Sequence, residues 1–420
     1  MGEGSGISVG RGLTIALFAT LAATGLQRLA AAKHLDLLAF DHLAPLLAAS
    51  PDGRVIVVEI DQQSLEKHGR WPWPRDLHAK LIEQLAAARP KVIVYDVLFA
   101  EPTQSEIDAV AAEWTSRSPG VDGVTVEVDT VIVVDTVDVR VRIVTHVVDG
   151  FRHVGAVLSA DGTTGPSPVM VYTHGGDNGV RVEDVLFLFP VVGDEATEFV
   201  WVIPSYRSES LEFDGQTFTS QGSPSPWDRD VDDALSLVEV ALSIEPAADV
   251  ARIGVLGFSR GSGVGLLMAA RDSRIDRVVE FFGPTDFFDD WVRGIARNAL
   301  LGQPSDLPGF EYLDQTFLQP LARGEKTMGE VRLELVRRSS VLYVEDLPMV
   351  QLHHGTADDI VPVSQGESLI AAMAAIGRGE PDFEGYLYDG GTHNPLTLAG
   401  SVTRTADFLR GLLSTPLAQQ

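Results

Sequence analysis

The chain's 420 residues, 45% hydrophobic and 22% charged, leave room for two domains, one a full-sized enzyme, and exclude wholesale disorder. A formal net charge of −27 excludes a nucleic-acid partner, because phosphate would be repelled over most of the surface. The lack of cysteine removes disulfides, thiol nucleophiles and thiolate metal sites, and leaves the redox compartment open.

Residues 13–26 (LTIALFATLAATGL) form an uncharged apolar run. It is shorter than the ~20 residues that cross a bilayer, and suits a secretory h-region or a buried helix. Ala30, Ala31 and Ala32 offer a small-residue cleavage site, while Arg28 and Lys33 blunt the charge asymmetry that sets topology. The expectation is a signal or anchor helix over residues 1–33, with membrane association through 13–26. It carries an extracytoplasmic location, with the cytoplasm as the alternative.

Residues 34–117 read as a small α/β unit: strand 55–60, helix 77–88, strand 92–98 and a helical piece from Ser105. Strand, helix and strand in that order make a βαβ unit. The stretch 115–123 (TSRSPGVDG) has linker composition, which sets the expected boundary at 117/118.

From residue 124 the chain is rich in Val and Thr with alternation up to 148, which predicts two or three strands opening a sheet in antiparallel fashion. Strands 168–173 and 199–203 follow, then helix 229–243, strand 253–256 and a helix from Gly261. Strands 277–282, 349–353 and 384–388 and a closing helix 402–413 complete the pattern. Short apolar strands separated by helices predict an α/β fold with a mainly parallel, doubly wound sheet. Residues 285–344 predict a helical insertion over one end of it.

The chemistry lies at three strand ends. Gly257-Phe258-Ser259-Arg260-Gly261 is a G-x-S-x-G turn between an apolar strand (IGVL) and a helix that opens with small residues. Such a turn strains the serine backbone, lifts Oγ above the sheet and aims the N–H of Arg260 at a developing oxyanion. An acid follows at Asp358 or its neighbour Asp359, and a base at His393 in Gly391-Thr392-His393, in the order Ser, Asp, His. His393 would move the serine proton while the carboxylate fixes the imidazole tautomer. His174-Gly175-Gly176 after strand 168–173 is the candidate for the second oxyanion donor, although such a turn also serves as a plain strand-to-helix connection. Phe287, Phe288 and Trp291 are candidates for an acyl pocket, with helix core as the commoner use of such residues. His353 and His354 read as structural strand-end residues. No His/Asp/Glu cluster has metal-ligand spacing, so no metal and no cofactor is expected.

These motifs, with Ile203-Pro204-Ser205-Tyr206-Arg207-Ser208 and the run Trp227 to Ala234 (WDRDVDDA), resemble the prolyl-oligopeptidase and dienelactone-hydrolase branch of the α/β hydrolases over residues 124–415. The resemblance implies attack by Ser259 on an ester or amide carbonyl of a small-molecule substrate, with Asp358 preferred over Asp359. About 120 residues precede that region and carry no blade repeat, so the propeller of the oligopeptidases is not expected. Carboxylic-ester hydrolysis is therefore set ahead of peptidase activity. The remaining alternative is a sensor whose hydrolase scaffold is idle.

The N-terminal part has its own resemblance. Val57-Val58-Glu59-Ile60-Asp61, Trp71-Pro72-Trp73-Pro74 and Tyr95-Asp96-Val97-Leu98-Phe99 are similar to the start of an extracytoplasmic CHASE-type sensor domain of the second kind, over residues 34–114. Such domains follow an N-terminal anchor. In physical terms the Trp-Pro pairs make a rigid turn with two apolar anchors, for which packing is the ordinary role.

Overall fold

A computed structural model of the chain describes residues 67, 75–89, 102–117, 121–163, 165–189 and 194–414. The chain divides into two compact units, Met1–Val97 and Leu98–Gln420. Helix α1, Arg75–Ala87, is the described element of the first, in place of the helix expected over 77–88. The apolar run 13–26, the strands 55–60 and 92–98 and the Trp-Pro turn lie outside the described residues.

The second unit begins with helix α2, Gln104–Ser116. The sequence Thr103-x-x-Glu106 closes a capping box: Glu106 N–H donates to Thr103 Oγ1 (3.2 Å) and Thr103 N–H to Glu106 Oε2 (2.6 Å). Val110 and Trp114, one helical turn apart, are buried in the main core of this unit. Trp114 meets Tyr343 at 4.7 Å between ring centroids. The helix's polar flank is fastened by ion pairs Glu106–Arg332 (2.8 Å) and Glu113–Arg337 (2.8 Å), with Arg117–Asp228 (2.6 Å) just beyond its end. The sequence reading assigned this helix to the small unit, on the linker composition of 115–123. Its apolar face settles the matter the other way, because Trp114 is covered by residues more than a hundred positions downstream.

The sheet starts as an antiparallel meander: β1 (Asp122–Val134), β2 (Val137–Val148) and β3 (Phe151–Ala160). It continues with β4 (Ser167–Thr173), while the two-residue β5 (Val180–Arg181) lies outside it. Next come β6 (Val200–Pro204), then β7 (Ser210–Phe213) and β8 (Gln216–Thr219), which pair with β5 in a small separate sheet. Helix α3 (Arg229–Ile244) leads to β9 (Ala248–Phe258), α4 (Arg260–Arg271) and β10 (Ile275–Phe281). The insertion contains α5 (Asp290–Leu300) and α6 (Met328–Arg338). The chain then returns through β11 (Met349–Gly355), α7 (Ser364–Ala375), β12 (Phe383–Tyr388) and α8 (Ser401–Ser414).

The nine strands lie in the order β1-β2-β3-β6-β4-β9-β10-β11-β12, parallel from β6 onward. Both faces are covered, so alternate residues of one strand enter different cores. Val169 and Val171 of β4 pack with α3 and α4, and Met170 packs with Phe408, Leu409 and Leu412 of α8. This double burial is why the central strands read as unbroken apolar runs. The mainly parallel, doubly covered sheet agrees with the class expected from sequence, and the parallel strands send their C-terminal ends to one edge.

Candidate active site

At that edge β9 ends on Phe258 and α4 begins on Arg260, which leaves Ser259 alone to make the turn at φ 54°, ψ −124°. A non-glycine residue held there costs about 1–3 kcal/mol, so the surroundings must over-determine it. Ser259 N–H donates to Phe281 O (2.9 Å), Ser262 N–H to Ser259 O (2.9 Å) and Ser262 Oγ–H to Gly257 O (2.8 Å). The flanking glycines are obligatory. A Cβ at Gly261 would stand 2.0 Å from Thr173 O, and one at Gly257 would stand 2.7 Å from Ser262 Cα.

Parallel pairing of β11 with β12 sets the next two loops side by side, with His353 opposite Tyr386. Thr356 N–H donates to Tyr388 O (2.9 Å) and Ala357 N–H to Gly391 O (2.8 Å), which locks the loops together. The structure separates the two aspartates. Asp358 is buried and Asp359 exposed. Asp358 Oδ1 accepts from the N–H groups of Ile360 and Val361 (3.0 Å each), and Oδ2 accepts from His393 Nδ1 (2.7 Å). Burial opposes the charge of Asp358, but the His393 and backbone hydrogen bonds outweigh it and hold the carboxyl below its ordinary value. His354 donates from Nε2 to Val361 O (2.9 Å) and so braces the same loop. His353 is tied to Gln351 Oε1 (2.8 Å) and Tyr388 OH (2.7 Å), and burial lowers it to about 3, so it is a neutral structural residue.

Phe282 joins the pieces. Its ring lies 4.3 Å from that of His393 and 6.3 Å from that of Phe258, the neighbour of Ser259. Just before it on β10, Glu280 is fully buried, accepts among the described residues only the Gly283 N–H (3.3 Å) on Oε2, and is pushed up to about 8 by burial, with the charge of Asp358 adding to the effect.

The His174-Gly175-Gly176 turn lies against Ser259, since a Cβ at Gly175 would stand 3.0 Å from Ser259 Cβ. The His174 ring itself is turned into the protein. It stacks on Tyr206 (4.3 Å), donates from Nδ1 to Gly175 O (3.0 Å), and is lowered by burial to about 4, hence neutral. Sequence reasoning valued Arg260 for its main-chain N–H alone, quoted Tyr206 and Asp230 only as parts of the family-like motifs, and missed Glu209. The guanidinium is buried and donates to Asp230 Oδ2 (2.9 and 2.7 Å), Glu209 Oε1 (2.6 Å) and Gly176 O (3.0 Å). A signal existed: an arginine opening a helix of small and apolar residues needs buried acids, and WDRDVDDA supplies them.

The three pocket aromatics have another use. Phe287 is fully buried against Trp227 (5.0 Å) and Phe310 (6.0 Å), Trp291 packs on Phe310 (5.3 Å), and the Arg332 guanidinium lies over Phe288 (5.5 Å). An apolar cavity of ≈ 60 Å³ inside the insertion is bordered by Phe287, Phe310 and Leu313, and by none of Ser259, Asp358 and His393. The expected acyl pocket is therefore corrected to insertion core, where these rings share one apolar cluster with Phe310, Leu313 and Phe317.

The CHASE2 domain family matches residues 14–356. The chain belongs to the CHASE2 domain family. That span corrects the resemblance drawn from sequence, which stopped at residue 114. The match runs through the elbow and onto β11, so the CHASE2 and hydrolase-like stretches coincide along most of the chain instead of following one another. No curated protein sequence matches this chain. Among solved structures it is similar to acetyl xylan esterase 1 from Thermoanaerobacterium sp. JW/SL YS485, 19% identical, covering 74% of this chain and 95% of that one, with a TM-score of 0.53. An acetyl xylan esterase from Paenibacillus sp. R4 is 15% identical, covering 77% and 98%, with a TM-score of 0.48. A puromycin-hydrolyzing peptidase from Mycobacterium tuberculosis is 20% identical, covering 66% and 40%, with a TM-score of 0.46. The fold of this CHASE2 family member is that of an α/β hydrolase.

Proposed function

We propose that the chain is a serine hydrolase that cleaves carboxylic esters through an acyl-enzyme. The carrying observation is the 2.7 Å hydrogen bond between Asp358 Oδ2 and His393 Nδ1 at the sheet edge where Ser259 makes its strained turn. With Nδ1 committed to Asp358, Nε2 of His393 is the base. It takes the Ser259 proton as Oγ bonds to the carbonyl carbon. The carbonyl oxygen becomes an oxyanion facing the Arg260 N–H and the 174–176 loop. Collapse breaks the ester bond, and the alcohol leaves with the proton from His393. Water, deprotonated by the same imidazole, then releases the acid.

Esters are set ahead of small amides and peptides. Likeness to an acetyl xylan esterase is the ground for this order. Labelling with a fluorophosphonate, followed by p-nitrophenyl esters against aminoacyl p-nitroanilides, tests both parts. The reading expects wild type to label and to turn over esters faster, and Ser259→Ala to do neither while remaining folded. Unlabelled wild type would instead support the second reading, a CHASE2 sensor with an idle scaffold, which the family match favours. Extracytoplasmic placement with membrane association through residues 13–26 accompanies either reading, and cell fractionation tests it.

A further inference from the structure

We propose that the Arg260 side chain is a positioning residue that holds the 174–176 loop in register with the nucleophile and so completes the oxyanion hole; this rests on the serine-hydrolase reading. The reaction needs only the main-chain N–H of the residue after the nucleophile, and an arginine opening a helix has solvent within reach. This guanidinium turns inward instead and is 3% exposed. Burying an ion is costly unless partners satisfy it, so a buried arginine at this position calls for a reason.

The contact with the loop is the informative one. Nη1 donates both to Glu209 Oε1 and to Gly176 O, while Nε and Nη2 hold Asp230 on α3. Tyr206 lies between the two halves, with the guanidinium 4.9 Å from its ring and the His174 ring stacked on it at 4.3 Å. In a trans peptide the carbonyl and the following N–H point to opposite sides. His174 Nδ1 fixes the Gly175 carbonyl and Arg260 Nη1 fixes the Gly176 carbonyl, so together they fix where the N–H groups of Gly176 and Asp177 point. Gly176 needs such anchors. Its φ is +72° and nothing beyond its chain neighbours lies within 4 Å of where its Cβ would be, so no packing on that side helps to hold its peptides. Because the same residue supplies the elbow's own N–H, the main chain and side chain of Arg260 hold both sides of the hole to one frame.

A purely structural ion cluster would affect melting and leave turnover alone, whereas a positioning role affects the transition state. The test uses the full chain with Arg260→Lys, whose single ammonium cannot span Asp230, Glu209 and Gly176 O as the fork does. We expect kcat for p-nitrophenyl acetate to fall about 100-fold, in the range of a lost oxyanion donor, with KM within about twofold. The Ki of phenylboronic acid, whose serine adduct places an oxygen in the hole, should rise by the factor that kcat/KM falls. The pH limb of kcat/KM should stay in place. If the lysine variant does not fold, Arg260→Gln with Asp230→Asn removes a buried cation together with a buried anion, and the same kinetic pattern is expected. A folded variant with wild-type kcat and only a lower Tm overturns the proposal while the hydrolase reading stands. A wild type that neither labels nor turns over ester overturns both.

Discussion

Replacing Asp358 by asparagine changes one atom and leaves most of the loop's bonding in place. The amide oxygen can still accept from the N–H groups of Ile360 and Val361, both 3.0 Å from Oδ1. The atom that changes is the one 2.7 Å from His393 Nδ1. There an amide NH₂ replaces a carboxylate oxygen, so it must face a bare Nδ1, which moves the ring proton to Nε2 and removes the base. In a well-studied triad this tautomer change costs about four orders of magnitude in kcat, which at ~1.4 kcal/mol per decade is about 5.5 kcal/mol. The loss of the charge that stabilises the imidazolium is included in that figure. Asp359 is exposed, and its change to asparagine should leave kcat within about twofold. The assay is steady-state hydrolysis of p-nitrophenyl acetate by both variants, with melting curves to confirm folding. A folded Asp358→Asn enzyme within tenfold of wild type, or an equal loss at Asp359, would refute the reasoning.

Other perturbations follow from the same geometry. Glu280 has a folded value of about 8 against an ordinary 4.5, so the folded state holds this proton more tightly than the unfolded chain does. Its stabilisation is complete below ~4.5 and declines as pH rises towards ~8, at up to ~1.4 kcal/mol per unit. Tm of wild type relative to Glu280→Gln should therefore fall between about pH 5 and 8, and parallel curves would count against it. A fragment of residues 98–420 should fold and hydrolyse esters, whereas 118–420 should not remain folded. The shorter cut uncovers the site of Val110 and Trp114, a loss of about 3–5 kcal/mol for the tryptophan alone, and strands Asp228 without Arg117. Thermal melting of the two fragments decides it, and equal stability would detach α2 from the core.

The three residues proposed as a triad stood out because each sits in a short pattern with a mechanical meaning: glycines that an elbow requires, an acid after an apolar strand, a histidine after the last one. The strands themselves were legible to within a few residues, since burial on both faces gives unbroken apolar runs. What escaped was whatever depends on distant partners. The allegiance of α2 is written in Tyr343 and Arg332, far from the linker that seemed to end its unit. β3 and the small sheet of β5, β7 and β8 are held by pairings that no local periodicity announces. Arg260, Glu209 and Asp230 meet only once α3 and α4 are packed. The aromatics at 287–291 misled because a large ring suits a pocket and a core equally, and only packing partners distinguish the two.

The bonding of α2 has a consequence for how the protein is made. Glu106 and Arg332 are 226 positions apart. At ~5–20 residues per second, the ribosome delivers the partner about 11 to 45 seconds after the helix has been made. Throughout that interval Trp114 and Val110 are a newly made apolar stripe without their final covering, on a helix of a length that is marginal in water by itself. The nascent chain is thus most open to chaperone capture, or to pairing with the wrong surface, between the emergence of α2 and the emergence of Tyr343. A pause in translation within that stretch would prolong the exposure, and one placed after Tyr343 has emerged would not.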